Sequence, residues 1–524
     1  MILLVNRTSL AVVALLLGAC APRLTTPPAP VVGLPPVPRV EGALDIRVQY
    51  PSAGVARPRV DSTFIFGSVG NGRATLFING APVQVAPNGA FLAYLPVPAS
   101  AWELTAQLED QVARGTVAYR PPAPPAATPP APAPAPVTFP VPLAGMVTGG
   151  TDTLATGSDV VPGYPVASTE GNRRWFLPRG TRFTAVGTRG GLVQARFDER
   201  TTAWIPENQV TLGAATAAPT TRSAGSVTVR PAAEHADIRI PVGGAPFLVS
   251  ADTGSAPRAL SVTLYGVAAP AGAPNLTGDP LLAGGSWASP TAGASRLDLQ
   301  LARPLWGYKV FYDTDGTLVL RLRRPPVVDP GQPLRGIRIV VDPGHPPGGA
   351  IGPTGLTDAE ANLAVGLRLA EMLRTRGAEV LMTRTTGAPL VSATNQSAEL
   401  GARVSFAMRN NAHLLVSPHN NAFGDGQNPF TRYGTEMLYY HPHSVDLARA
   451  LQREIVDITR IPNLGARFQN IAIGRVTWMP SVITESLFMM FPEQENALRD
   501  PAFLDRLAAA HVRGIEAFLR ERAP

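Results

Sequence analysis

Residues 337–345 read IRIVVDPGH: five residues, four of them apolar, then an Asp-Pro-Gly turn, then His345. A run this short and this rich in β-branched side chains is read as a strand rather than a helix. Its surroundings carry the same rhythm to the end of the chain. Helical spacing follows over 358–376, with Leu363, Leu367 and Ala370 on one face. Apolar strands are expected at Val380–Met382, Leu414–Ser417, Thr435–Tyr440 and Val482–Thr484, with helices at 445–460 and 501–520. The last helix opens on Asp500-Pro501, a capping residue before a proline at the first helical position. Strands alternating with amphipathic helices predict an α/β domain over 336–524 with a mainly parallel or mixed sheet.

In such sheets ligands gather at the carboxyl ends of the strands. Four polar residues fall there: His345 after the first strand, Glu360 in the first turn of the next helix, His419 after Leu414–Ser417, and Glu485 after Val482–Thr484. Two imidazoles and a carboxylate can hold zinc with one position left for water, and a further carboxylate can take that water's proton. Each residue also has a plainer reading. Thr357-Asp358-Ala359-Glu360 matches a helix capping box. His345 could serve a turn, His419 could be a near-core histidine, and Glu485 could pair with an arginine. His441 and His443, flanking Pro442, are candidate spare ligands or substrate contacts, whereas His413 precedes its strand and reads as structural.

The ordered series is more specific than any member. Val341–His345, Gly352–Gly355, Glu360 and Asn362, Thr383-Arg384, Ser417-x-His419-x-Asn421-Ala422, Gly434–Glu436 and Glu485 together resemble the zinc-dependent N-acetylmuramoyl-L-alanine amidases of the Amidase_3 kind. The resemblance implies that His345, Glu360 and His419 bind Zn2+ and that Glu485 is the catalytic carboxylate. It implies hydrolysis of the amide between N-acetylmuramic acid and L-alanine in peptidoglycan. Arg384 is read either as a ligand for a stem-peptide carboxylate or as a brace, and Asn421 as a substrate contact. The chain departs from the family at Pro346-Pro347, where glycines are usual, at Pro418, and at Ser486-Leu487-Phe488. Some members carry a self-blocking helix after the second histidine, whereas Phe423–Tyr433 here reads as a loop. A zinc peptidase acting within the stem peptide and an inactive wall-binding scaffold are the rival readings.

Upstream the pattern is β throughout. Residues 42–120 alternate at period 2 (Leu44, Ile46, Val48, Tyr50), carry Asn-Gly turns at 71, 79 and 88, and resemble an immunoglobulin-like module. Residues 142–213, ending in Ala203-Trp204-Ile205-Pro206, resemble an SH3-like barrel, with Trp175 and Trp204 as core or groove residues. Residues 233–330 are β-rich, with a hairpin at Asp315-Gly316, and read either as the wall-targeting AMIN domain that many amidases carry in this position, which they resemble in order and β character, or as a plain structural spacer. Pro-rich stretches at 21–41 and 121–141 are expected to be tether and linker.

Residues 1–20 have a basic start, an apolar run Leu10–Leu17 shorter than a bilayer span, and the ending Leu17-Gly18-Ala19-Cys20. This resembles a lipoprotein signal, with Cys20 as the lipidation site and Ala21 directing the protein to the outer membrane, facing the periplasm. With Cys20 the only cysteine, neither an internal disulfide nor a cysteine zinc cage is available. The net charge of +7 rests almost wholly on arginine, Lys309 being the only lysine. No dense basic run or nucleic-acid motif accompanies it, so nucleic acid is not expected as a partner.

Overall fold

The computed structural model describes residues 33–522 apart from 53–58, 120–133, 151–160, 170–173, 178, 216–221, 244–248, 253–257 and 393–395. The signal segment with Cys20, most of the expected tether and the first part of the linker at 121–141 lie outside the described residues.

The C-terminal sheet has six strands. Across the sheet they run Glu379–Met382, Arg338–Val341, Leu414–Asn421, Ser481–Phe488, Thr435–Tyr439 and Asn463–Phe468. The first four are mutually parallel; Thr435–Tyr439 lies antiparallel to Ser481–Phe488 and parallel to Asn463–Phe468, so the sheet is mixed. Both faces are covered, which is why the strands read as unbroken apolar runs rather than alternating ones. Ile339, Val341, Leu414, Val416 and Val482 pack beneath the helices Asp358–Thr375, Val445–Thr459 and Pro501–Arg522. Val340, Leu415, Leu438 and Ile483 face the other way, under Val404 and Ala407 of the helix Gln396–Arg409.

That helix and the strand Asn463–Phe468 were not signalled by the sequence pattern. Asn463–Phe468 contains Gly465, Ala466 and Arg467 and no β-branched residue, so local propensity gives no strand signal. It forms because Thr435–Tyr439 offers it a ladder. The segment between Ala422 and Thr435 holds turns and no helix.

The preceding β units dock onto this domain. The first pairs a three-stranded sheet with a four-stranded one around Trp102, Ile65 and Phe91. Its Asn79-Gly80 turn has φ of 51° and 79°, the positive pair a type I′ hairpin requires. A five-stranded sheet spans Val137–Ala215, with Trp175 buried in its core and Trp204 half-buried. Two four-stranded sheets between Thr228 and Arg323 enclose a core around Leu260, Leu297 and Leu320, and Gly307–Tyr312 pairs with Thr317–Arg323 as the expected hairpin. No helix among the described residues is long and apolar enough to cross a membrane.

Candidate metal centre and cleft

The turn after Arg338–Val341 carries His345, and buried charge fixes it in place. Asp342, 1% exposed, accepts hydrogen bonds from Thr383 Oγ1 (2.6 Å), Ser417 Oγ (2.8 Å) and Arg403 Nη1 (3.0 Å). Arg403, 2% exposed, also donates to the carbonyls of Pro343, His345 and Pro346. Arg384 donates to the carbonyls of Pro343, Gly344, Ala359 and Thr386. Burial first, and then the Arg403 charge, push its guanidinium down to about 10. Its donors are spent on backbone, so the structure places Arg384 as a brace for the turn and not as a group facing a substrate carboxylate. Gly344 is required by proximity: a Cβ there would lie 2.3 Å from the His419 ring.

Ring nitrogens of His345 and His419 and one carboxylate oxygen of Asp358 lie within 4.8 Å of one another. His345 Nε2 is 3.2 Å from Asp358 Oδ2, and the two imidazole centroids are 5.0 Å apart at 74°. His345 Nδ1 lies 3.1 Å from the Pro347 carbonyl. With Nδ1–H donating there, Nε2 keeps its lone pair for the centre. Asp358 Oδ1 accepts the Asn420 N–H at 3.2 Å, which turns Oδ2 inward. Burial favours the neutral His345 imidazole, but the Asp358 hydrogen bond and charge outweigh it and raise its pKa. Burial pushes His419 down to about 4, keeping its imidazole neutral. Two neutral-capable imidazoles and one oriented carboxylate are a donor set that fits zinc.

Glu360 is not part of this cluster. It closes the capping box: its N–H donates to Thr357 Oγ1 (3.3 Å), and its Oε2 accepts the Thr357 N–H (3.0 Å) and hydroxyl (2.7 Å). Those hydrogen bonds hold its carboxyl below the usual range. At 3.6 residues per turn, positions 358 and 360 point about 200° apart, so one helix start cannot send both inward. The plainer reading of Glu360 is the one the structure supports, and Asp358 takes the carboxylate's place.

Glu485 stands beside the cluster. It is the register partner of His419 on one side and of Glu436 on the other, so the three side chains form a row on one face of the sheet. Burial, and then the charges of Asp358 and Glu436, raise its pKa well above the usual value. Its Oε2 is buried with no hydrogen-bond partner among the described residues. Asn421 Nδ2 donates to Glu436 Oε1 at 2.7 Å, and Arg467 Nη1 donates to Glu436 Oε2 at 2.6 Å.

His441 and His443 are elsewhere, their rings stacked 5.2 Å apart against Tyr308, with His441 Nε2 on the Arg475 carbonyl. His413 Nδ1 accepts the Arg338 N–H, a structural role. Sequence reasoning missed Arg403 and Glu495. The latter, fully buried, accepts the N–H groups of Thr354 and Leu356 and so fixes the loop leading to Asp358. Neither lies in a motif.

An α/β sheet that gathers two histidines, an aspartate at a helix start and a buried glutamate of raised pKa has the makings of a hydrolase site. Residues 339–517 match the family model described as N-acetylmuramoyl-L-alanine amidase. The germination-specific N-acetylmuramoyl-L-alanine amidase of Bacillus subtilis is 27% identical over 202 residues, covering 36% of this chain and 83% of that protein. The N-acetylmuramoyl-L-alanine amidase LytC of the same organism is 29% identical over 194 residues, covering 36% of each chain. A solved structure of an N-acetylmuramoyl-L-alanine amidase from Nostoc punctiforme is 31% identical, with 35% of this chain and 97% of that chain covered and a TM-score of 0.31.

Proposed function

We propose that the chain hydrolyses the amide between the lactyl group of N-acetylmuramic acid and the first L-alanine of the peptidoglycan stem. The carrying observation is the convergence of His345, Asp358 and His419 beside the Glu485 oxygen that has no partner among the described residues. His345, Asp358 and His419 would hold a zinc ion, which when bound polarises the scissile carbonyl and acidifies the attacking water. Glu485 accepts the proton of that water and returns it to the departing alanine nitrogen, and the raised pKa that burial gives it strengthens it as a base. Asn420 keeps Asp358 aimed at the centre, and Arg384 with Arg403 keeps His345 there.

The cell-wall relatives support an envelope location. A lipid anchor at Cys20, an outer-membrane site facing the periplasm, and immunoglobulin-like, SH3-like and AMIN-like identities for the β units complete the proposal.

Purified protein incubated with sacculi should release free stem peptides and leave sugar chains without peptide, as read by mass spectrometry. Chelation should stop release and added zinc restore it. Products cut within the stem would overturn the assignment in favour of a peptidase.

A further inference from the structure

The row across the sheet continues past Glu436. In the neighbouring strand Glu436 is the register partner of Gly465, and Arg467, two residues further on the same face, reaches back to the Glu436 carboxylate. His419, Glu485, Glu436 and Arg467 therefore run in order over four adjacent strands, from the metal cluster to the sheet edge. The edge is open: an ideal Cβ on Gly465 would meet no atom within 4 Å.

The two ends of the ion pair differ in setting. The Glu436 side chain is 8% exposed, with both oxygens accepting hydrogen bonds, whereas the Arg467 side chain is 42% exposed. A guanidinium carries five N–H donors in a fork matched to carboxylate geometry, and the bond to Glu436 engages only one of them. The other two site arginines cannot serve: both are buried, Arg384 with its donors on backbone carbonyls and Arg403 with its donors on backbone carbonyls and the Asp342 and Glu399 carboxylates.

We propose that Arg467 recognises a free carboxylate of the stem peptide, held for that purpose by Glu436. The inference rests on the amidase reading above and names the part of the substrate that this site selects. Strands lie about 4.8 Å apart, so Arg467 stands roughly 10 Å across the sheet from Glu485. An extended peptide advances about 3.3 Å per residue and the guanidinium reaches back to Glu436, which places the recognised carboxylate on the second stem residue rather than at a distant terminus. Glu436 holds one edge of the guanidinium and leaves the rest of the fork for a substrate carboxylate.

The test uses the full chain and two muramoyl tripeptides that differ only in whether the carboxylate of the second residue is free or amidated. Wild type should prefer the free acid by about tenfold in kcat/KM, chiefly through KM. Arg467→Gln, which can still donate to Glu436, should lose the preference, its kcat/KM values for the two substrates falling within about twofold of each other. Arg467→Lys should keep part of it. No preference in wild type, or a preference that survives Arg467→Gln, overturns the proposal. Should neither substrate be cleaved, the amidase reading fails, and calorimetric binding of the two peptides to wild type and Arg467→Gln then decides the arginine separately. A selectivity for the free acid that vanishes in the variant supports carboxylate recognition; equal binding by both proteins overturns it.

Discussion

At the scale of single residues, the most informative contrast is between Asp358 and Glu360. Asp358 is 2% exposed and faces His345, whereas Glu360 is bonded to Thr357 at the surface of the helix start. Asp358→Ala should lower bound zinc below stoichiometric and reduce sacculus release at least 100-fold. Glu360→Ala should retain metal and activity and lose only capping stability, on the order of 1 kcal/mol. Metal analysis beside thermal melting checks both. The histidines and Glu485 were legible in the sequence because each lies in, or just after, a strand whose apolar run is itself legible. The carboxylate was not, since both 358 and 360 lie in the first helical turn and the capping-box spacing matched one of them without revealing which way it pointed.

Glu485 carries a second prediction. Its raised pKa means that it is ionised only at higher pH, so release should fall as pH drops through that raised value. In the metal-free protein, folding favours the protonated carboxyl. That contribution is complete below the unfolded value of about 4.5 and is lost as pH rises through the folded one. Glu485→Gln should therefore abolish activity, by roughly 10²- to 10⁴-fold, yet raise the melting temperature of the metal-free protein at neutral pH and not at pH 4. Equal melting of both proteins at neutral pH would remove the electrostatic account of this residue.

At the scale of elements, the catalytic turn depends on the helix Gln396–Arg409, which no strand–helix rhythm announced. Its Arg403 ties the Asp342 carboxylate and three turn carbonyls to the sheet, and Glu399 on the same helix lies 3.2 Å from Arg403. Gly401 interrupts its apolar spacing, and its defining interactions are with residues some sixty positions upstream. Local pattern cannot contain that information. Arg403→Met would leave the buried Asp342 charge without its cation, a loss of about 3–5 kcal/mol by the usual scale for one broken partner. Chemical denaturation should show it, and metal affinity should fall as the His345 turn loosens. Conversely, the alternating strands and the long helices were legible, because burial on both faces writes unbroken apolar runs that flanking turns delimit.

At the scale of the whole molecule, the first β unit is packed against the borders of the cleft rather than hung from a flexible tether. Phe64, Phe66 and Leu92 are buried against Phe488, Met490 and Phe491, with Ile351, Phe423 and Phe430 packed around them. Tyr50 and Thr63 donate to Asp425, and Tyr94 donates to the Gly426 carbonyl at 3.0 Å. Ile351 lies in the loop between His345 and Asp358, and Phe423 to Gly426 follow Asn421, so one β unit touches both segments that border the metal cluster. The sequence could suggest a separate module but not this docking, because its apolar residues read equally well as that module's own core. Burying an aromatic side chain at such a junction contributes several kcal/mol, and replacing it by alanine costs about 3–5 kcal/mol. Phe64→Ala in the full chain should therefore loosen the 423–433 loop, seen as faster amide hydrogen exchange there and at Ile351, and should raise KM for sacculi. The strand Arg338–Val341, flanked on both sides within the sheet, should keep its protection. If exchange at 423–433 were unchanged while Phe64→Ala unfolded only the first unit, that unit would be a passenger and the cleft would be complete without it.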